Sequence, residues 1–543
     1  MKLSARAIAE GRLARAVVLV LSFSFRLPEL VHAREVNSDS AIVGLQAMHL
    51  AHGEVSAFLW GSGYQSAADA YWAVPFFALL GPSPLALVLS ALVLHGIATL
   101  AVLAMAERHA RLARVKSPSF AGALLALPLV FTTAAIHTYA LYPPRQASIT
   151  LAMVSLYAVD RASTYRQRNA LLAMGGLCAG VACAADPYAL VFAPLVALCA
   201  CVSAFEGPLG RYPVRFWKAN GERGWKWEAL REIGTRLVAA ALGAVVGLVP
   251  LLLMWRSQGA RLGVTELDAS RASRNAKLLL ETCGPWAFGA TSYAASADHP
   301  MQYEPWAMPS AYALFAKGAV CLFLAFFPAS LLLALFGRRL PFATRRVGVV
   351  GSLALPLTAY GFLNSVMVMD HFSMRYLASI PLLLPFALVP LLATFGGRKV
   401  AMLLVPPLVA AGVSGWVSFG PDVKGPFVAP VAEGPTDEER VRAFLDERRV
   451  THAMADYWTA YRVTFVTRER LVVVPTHPEQ DRYAPYRRAF EQEKSVAYLV
   501  DPLRTGESPN DVARELENGA RIGKGKVERA TIGRFTVFVV ARF

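Results

Sequence analysis

Long apolar runs recur over the first four-fifths of the chain, each divided from the next by a polar and usually arginine-rich segment. A helix needs roughly 17–25 apolar residues to cross a hydrocarbon core of about 30 Å. The runs that meet or approach this length predict eleven spans, at 14–32, 84–106, 119–139, 145–160, 169–185, 187–204, 236–255, 311–336, 347–368, 376–395 and 399–417. Inside a bilayer each backbone polar group must find its partner within its own segment, so an all-α polytopic bundle is expected. The fourth and fifth runs are short, and their boundaries are soft.

From about residue 420 the pattern changes, with dense charges and no run long enough to span. Thr436-x-x-Glu439 is a capping box that opens a helix through about Arg448. Strand-like runs follow at 471–474, 496–500 and 527–540, the last broken at Gly533, with helical stretches near 485–494 and 510–518 between them. The chain thus divides into a membrane domain, 1–419, and a small α/β domain, 420–543. Gly519, Gly523 and Gly525 follow a helix and open none, so they form no phosphate-binding glycine loop.

Composition sharpens this picture only in part. The chain of 543 residues is 55% hydrophobic and 17% charged, and its mean hydropathy is +0.42. A net charge of +16 would suit nucleic acid, but its distribution reads as topology and no nucleic-acid partner is expected. Basic residues gather in alternate connections, for example Arg108, Arg111, Arg114 and Lys116, then Arg338, Arg339, Arg345 and Arg346. The positive-inside rule then puts the N-terminus in the cytoplasm of an inner-membrane protein. It places the loops 33–83 and 256–310, and the C-terminal domain, outside. Arg12, Arg15, the apolar run 16–25 and Val31-His32-Ala33 also match a cleavable signal peptide; a retained first helix is the preferred reading. Trp217, Trp225 and Trp227 among basic residues suit either an interfacial helix or a basic loop with aromatic anchors. Five of the six cysteines lie in apolar runs, Cys283 alone in a loop, and no CxxC pair occurs, so neither disulfides nor zinc are indicated.

The loop 33–83 holds the most chemistry. It runs from Asn37-Ser38-Asp39-Ser40 through an apolar helical stretch to Trp60-Gly61-x-Gly63-Tyr64. Asp69-x-Tyr71-Trp72 and Gly81-Pro82-Ser83-Pro84 follow. Its mixture of polar and aromatic residues predicts amphipathic segments resting on the membrane surface. Asp39, just past the first span, is held near the membrane but not in it, where a general base could serve a lipid-borne substrate. It could equally cap a helix at 41–52.

An acidic residue after the first helix, two surface segments and a Gly-Pro-Ser lead into the second span resemble the GT-C superfamily of membrane glycosyltransferases. That superfamily includes protein O-mannosyltransferase and aminoarabinose transferase relatives and a bacterial branch of undefined substrate. Three further elements resemble its bacterial members: Gly180-x5-Asp186-Pro187, Arg375-Tyr376 after Asp370-His371, and Asp456-Tyr457-Trp458-x-Ala460-Tyr461 with Asp481-Arg482-Tyr483. The resemblance implies a transferase that takes a sugar from a polyprenyl-phosphate donor. The acceptor would be lipid, glycan or protein on the outer face, in contact with membrane lipids. Asp39 matches the position that deprotonates or orients the acceptor, and Asp69 matches a second loop carboxylate. A guanidinium suits the leaving phosphate, because it stays protonated and grips two oxygens at once; Arg375 and then Arg145 are the candidates. Trp60, Tyr64, Asp186, His371 and Tyr376 are candidates for the substrate pocket. Ser40 replaces the second acid of many relatives, so no carboxylate pair supports a divalent metal and no cofactor is expected.

Plainer readings stand beside these. Asp186-Pro187 could be only a turn, Arg375 an interfacial anchor, and His95 a core residue. Asp370, His137 and His371 could form a polar cluster, and Asp456, Tyr457, Trp458 and Tyr461 could simply pack the outer domain. A lipid or glycolipid transporter is the alternative function, although the chain shows no internal repeat and its acids cluster at span ends.

Overall fold

The computed structural model describes residues 5–31, 33, 36–133, 141–162, 168–204, 227–257, 267–295, 303–418, 434–502, 508–523 and 526–541. His137, Trp217 and Trp225 lie outside them. Each of the eleven expected spans overlaps a helix, from Ala5–Val31 to Gly397–Val417, although the run expected at 119–139 is helical only over Pro118–Val130 and its positions 134–139 lie outside the described residues. Among the described residues, seven helices are long and apolar enough to cross a membrane, including Pro84–Leu112, Leu230–Leu253 and Ser310–Phe336. On Leu230–Leu253 the large apolar residues Val238, Leu242, Val245, Val249 and Leu252 are exposed. They recur every three or four residues and so form one helical stripe. An exposed apolar stripe of this length belongs against lipid; the protein is an integral membrane protein.

Two details explain how unusual sequence is accommodated. Pro118–Val130 is only 13 residues long, about 20 Å of helix. The buried Arg26 guanidinium of the first helix donates to the carbonyls of Leu129 (3.1 Å) and Val130 (3.3 Å). It thereby satisfies groups that a helix end leaves without partners. Elsewhere Arg168–Ala185 and Trp227–Ser257 meet backbone to backbone. Gly176 and Gly180 lie on one helix, Gly243 and Gly247 on the other, and a Cβ at any of the four would collide with the facing main chain. This small-xxx-small pairing brings helices close where no hydrophobic force drives them together. Gly180→Val is expected to lower the melting temperature by an amount equivalent to about 1–3 kcal/mol, the usual penalty of overpacking. Gly234→Ala, at a position with open space around it, should leave the melting temperature unchanged. Equal melting of the two variants would remove the close-packing account.

The C-terminal domain is a five-stranded mixed sheet flanked by helices, with strands β1 His452–Ala455, β2 Val472–Pro475, β3 Ser495–Val500, β4 Val527–Ile532 and β5 Phe535–Ala541. Their order in the sheet is β2-β1-β3-β5-β4. β1 runs parallel to β2 and β3, while β5 is antiparallel to both β3 and β4. The sequence pattern missed β1, and Gly533 splits the 527–540 run into a hairpin as expected. The capping box at Thr436 and Glu439 forms. Arg462 is fully buried between Glu438 (3.3 Å) and Asp501 (3.6 Å).

The loop 33–83 departs from expectation. It forms two helices, Ser38–Ala51 and Ala68–Leu80, but the first does not rest on a surface. Ten of its 14 residues are buried, because the domain helix Tyr457–Val466 packs over it; Phe465 lies against Gly44. A helix apolar on most sides is a buried helix rather than an interfacial one.

Candidate functional site

One end of the bundle gathers the loop 33–83, the turns before Gln146–Ala162 and after Arg168–Ala185, the segment His371–Leu377, and the α/β domain. Asn37 caps the helix Ser38–Ala51, its Oδ1 accepting the Ser40 amide at 2.8 Å. Asp39 therefore sits in the first turn and is not the cap. The hydroxyls on either side of it fix its place. Ser38 Oγ donates to the Tyr457 carbonyl (2.7 Å), and Ser40 Oγ donates to the Pro143 carbonyl (2.5 Å). One bond ties the turn to the soluble domain and the other to the loop that leads into Arg145.

Asp39 is half-buried. Its Oδ1 accepts a 2.6 Å hydrogen bond from the Tyr457 hydroxyl, and Oδ2 has no partner among the described residues. Burial raises the Tyr457 pKa above the ordinary phenol value, and the neighbouring Asp39 charge raises it further, so the phenol stays a donor. Arg482 lies with its guanidinium carbon 5.3 Å from the Tyr457 ring centroid, and its Nη1 donates to the Gly61 carbonyl at 2.7 Å. Gly61 has φ +63° and meets the Arg482 main chain closely, a position where only glycine avoids strain.

Asp69 works from behind. Its oxygens accept the backbone N–H groups of Arg145 (3.2 Å) and Ala147 (3.1 Å), the unpaired donors at the start of Gln146–Ala162. Burial pushes its carboxyl up to about 6, against the pull of those two N–H groups. Arg145 has φ +112°, a conformation that costs a non-glycine residue on the order of 1–3 kcal/mol and persists only when its surroundings enforce it. Asp69 supplies part of that enforcement. The Arg145 Nε is 3.1 Å from Asp186 Oδ2. Asp186 also accepts the Tyr188 amide (2.7 Å) and the Gln65 side-chain amide, so it is both a turn cap and the counter-charge of Arg145.

The Arg145 and Arg375 guanidinium carbons lie 5.0 Å and 5.2 Å from the centroid of one ring, Tyr376. Tyr188 holds that segment in place, accepting from the Ser379 amide (2.9 Å) and donating to the Tyr376 carbonyl (3.2 Å). Tyr64 interacts electrostatically with Arg145, Asp186, Tyr376 and Asp39, and burial raises its pKa. Asp39, Tyr64, Arg145, Asp186, Arg375 and Tyr376 thus converge, although they come from four separate stretches of chain.

Two further pocket candidates make contacts of their own. His371 packs its ring on Trp286 (5.8 Å), Tyr293 (6.1 Å) and Phe372 (4.2 Å), and its neighbour Asp370 is a cap for the segment His371–Leu377. Trp60 stacks on Tyr483 at 4.0 Å and 17° and meets His49 edge-on at 4.8 Å, in the seam between loop and domain. There His49 Nδ1 pairs with Glu54 (2.6 Å) and Nε2 with Glu469 (2.7 Å). Burial alone would lower the His49 pKa, but hydrogen bonds and charge from Glu469 and Glu54 outweigh it and raise the value above 6.5. A histidine raised on folding contributes stability that is complete below the unfolded value and lost as pH rises through the folded one. Thermal unfolding of the docked domain, followed from about pH 6 to about pH 9, should weaken across this window. The His49→Gln protein should show a flatter profile, and identical profiles would exclude His49 as the titrating link.

Sequence reasoning named Tyr457 and Arg482 within the outer-domain elements, with acceptor binding as one reading of Tyr457, but did not join either to Asp39. Both stand within the Asp456–Tyr461 and Asp481–Tyr483 elements, but the contact with Asp39 joins positions more than four hundred residues apart, which no local pattern announces.

These elements make a polytopic bundle with two helices in the loop 33–83 and a small α/β domain seated over them. The chain superposes on ArnT from Cupriavidus metallidurans, a crystal structure bound to undecaprenyl phosphate, with a TM-score of 0.52 at 12% identity over 97% of each chain. It also superposes on the arabinofuranosyltransferase AftD from Mycobacteria, seen by single-particle cryo-EM, with a TM-score of 0.51 at 13% identity. That match covers 100% of this chain and 40% of the other. No protein-family model and no curated protein matches the chain.

Proposed function

We propose that this protein is an integral-membrane glycosyltransferase that moves a sugar from a polyprenyl-phosphate donor to an acceptor outside the cytoplasm. The observation that carries the reading is a half-accessible carboxylate, Asp39, whose neighbour Ser40 is hydrogen-bonded to the carbonyl of Pro143, two residues before Arg145; Arg145 in turn shares the Tyr376 ring with Arg375. A transferase of this type needs a proton acceptor on one side of the sugar and an anion hold on the other. The fold is shared with a protein whose crystal structure holds undecaprenyl phosphate, which supports this class of donor.

In the reaction the acceptor hydroxyl attacks the anomeric carbon and the sugar–phosphate C–O bond breaks. The acceptor proton passes to Asp39 Oδ2, and the bonding electrons leave on the phosphate oxygen. Tyr457, donating to Oδ1, keeps the carboxylate oriented with Oδ2 toward the acceptor. Asp186 neutralises much of Arg145, so Arg375 carries the larger share of free positive charge toward the phosphate. Asp69 positions Arg145, and Tyr64 and Tyr376 form the wall between base and cations.

The test is incubation of the purified protein with a panel of polyprenyl-phosphate sugars, scoring release of polyprenyl phosphate. A transporter would move these lipids across vesicles and release none. The proposed orientation puts the α/β domain outside. A reporter fused after residue 420 should therefore be active only outside the cytoplasm, and cytoplasmic activity would reverse the sides assigned to donor and acceptor.

A further inference from the structure

At the end of the bundle away from Asp39 there is a second built feature. The turn after Pro84–Leu112 and the turn between Ser379–Phe395 and Gly397–Val417 enclose a hollow of about 710 Å³. Arg114, Lys116 and Arg398 stand at its rim, while Phe120, Leu124 and Phe395 form its apolar wall. No carboxylate lines it, and none of the three cations has an acidic partner among the described residues. Phe120 and Phe395 are about half exposed, at 49% and 47%, as suits aromatic side chains at the level of lipid headgroups.

We infer that this hollow binds an anionic glycerophospholipid of the adjoining leaflet. The cations would hold the headgroup phosphate and the aromatic wall would receive the first part of an acyl chain. Three cations round one hollow, without an acidic partner among the described residues, favour an anion there, and basic pockets between transmembrane helices take lipid headgroups in this way. Inorganic phosphate alone would leave the apolar wall unused and most of the volume empty. The inference rests on the neighbouring helices Pro84–Leu112, Ser379–Phe395 and Gly397–Val417 crossing the bilayer, and it is independent of the transferase reading.

Each cation near a membrane surface contributes a several-fold gain in affinity for anionic lipid. Three together predict a preference of about a hundredfold for phosphatidylglycerol over phosphatidylcholine. The full-length protein, purified in detergent, is offered each lipid, and retained lipid is counted by native mass spectrometry. Wild type should keep phosphatidylglycerol, and the Arg114→Gln/Lys116→Gln/Arg398→Gln protein should lose this preference. Millimolar inorganic phosphate should not displace the lipid. Equal retention of the two lipids by wild type overturns the inference, as does undiminished phosphatidylglycerol retention by the triple variant. Displacement by inorganic phosphate, or by polyprenyl phosphate in preference to phosphatidylglycerol, overturns it too by assigning the site to another ligand. All three substituted side chains are exposed, so the variant should melt like wild type. If it does not, the comparison of the two lipids on wild type decides alone.

Discussion

Asp39→Asn is expected to leave expression and melting temperature unchanged and to reduce sugar transfer by about 10²–10⁴, the usual cost of losing a general base. The substitution is nearly isosteric. The asparagine oxygen still accepts the Tyr457 hydroxyl that now reaches Oδ1 at 2.6 Å. The helix keeps its own cap, since Asn37 and not Asp39 accepts the Ser40 amide. What disappears is the capacity to take a proton. The comparison that separates chemistry from positioning is Tyr457→Phe, which leaves the carboxylate but removes its oriented donor. That variant should lose less, on the order of a single buried hydrogen bond, or about tenfold. An Asp39→Asn protein that transfers sugar at the wild-type rate would remove Asp39 from the chemistry. Asp69 is buried and its oxygens accept the Arg145 and Ala147 amides, which suits it to positioning Arg145 rather than to meeting the acceptor.

The membrane half of this architecture was legible because its signal is one of length and hydropathy, which require no knowledge of partners. Each of the eleven apolar runs holds a helix, the short ones at 145–160 and 169–185 included, whereas the helix Pro118–Val130 stops short of the expected boundary at 139. The fate of Ser38–Ala51 was not legible. The same apolar, unpatterned run can lie in an interface or be buried, and what decides is whether another element covers it. Here the cover is Tyr457–Val466, contributed by the far end of the chain.

The site divides along the same line. Asp39, Arg145, Asp186, Arg375 and Tyr376 could be singled out because each stands at the end of a span, where an ionisable or phenolic group needs a reason to be. Their convergence could not be read. The ring shared by the two arginines, the reach of Tyr457 to Asp39, and the backing of Arg145 by Asp69 are tertiary facts. Trp60 shows the converse. An aromatic residue among glycines looks like a ligand platform in sequence, yet it is the stacking partner of Tyr483 in an interdomain seam. Asp69 looked like a second acid, and its two hydrogen bonds fit it to holding Arg145 in a strained backbone.

The arginine pair sets the last expectation. Lysine keeps the charge of Arg375 but offers one compact ammonium in place of a planar fork, so it cannot grip two phosphate oxygens while remaining over the Tyr376 ring. Arg375→Lys should therefore lower kcat/KM by roughly 10²–10³, the range seen when one preorganised donor to a developing anion is lost. Affinity for a polyprenyl-phosphate sugar should fall less, because the charge that attracts the ground-state phosphate remains. Arg145→Lys should do similar damage by a second route, since lysine cannot hold Asp186 through Nε and a phosphate through the other nitrogens. Because both guanidinium groups depend on Tyr376, the two losses should not add. The double variant should be much less impaired than the product of the singles predicts, as for residues that share one partner. Strictly multiplicative losses would mean that the two arginines act at separate places. Wild-type kcat/KM in Arg375→Lys would return that residue to anchoring its helix at the interface, and Arg145 alone would be left to receive the leaving phosphate.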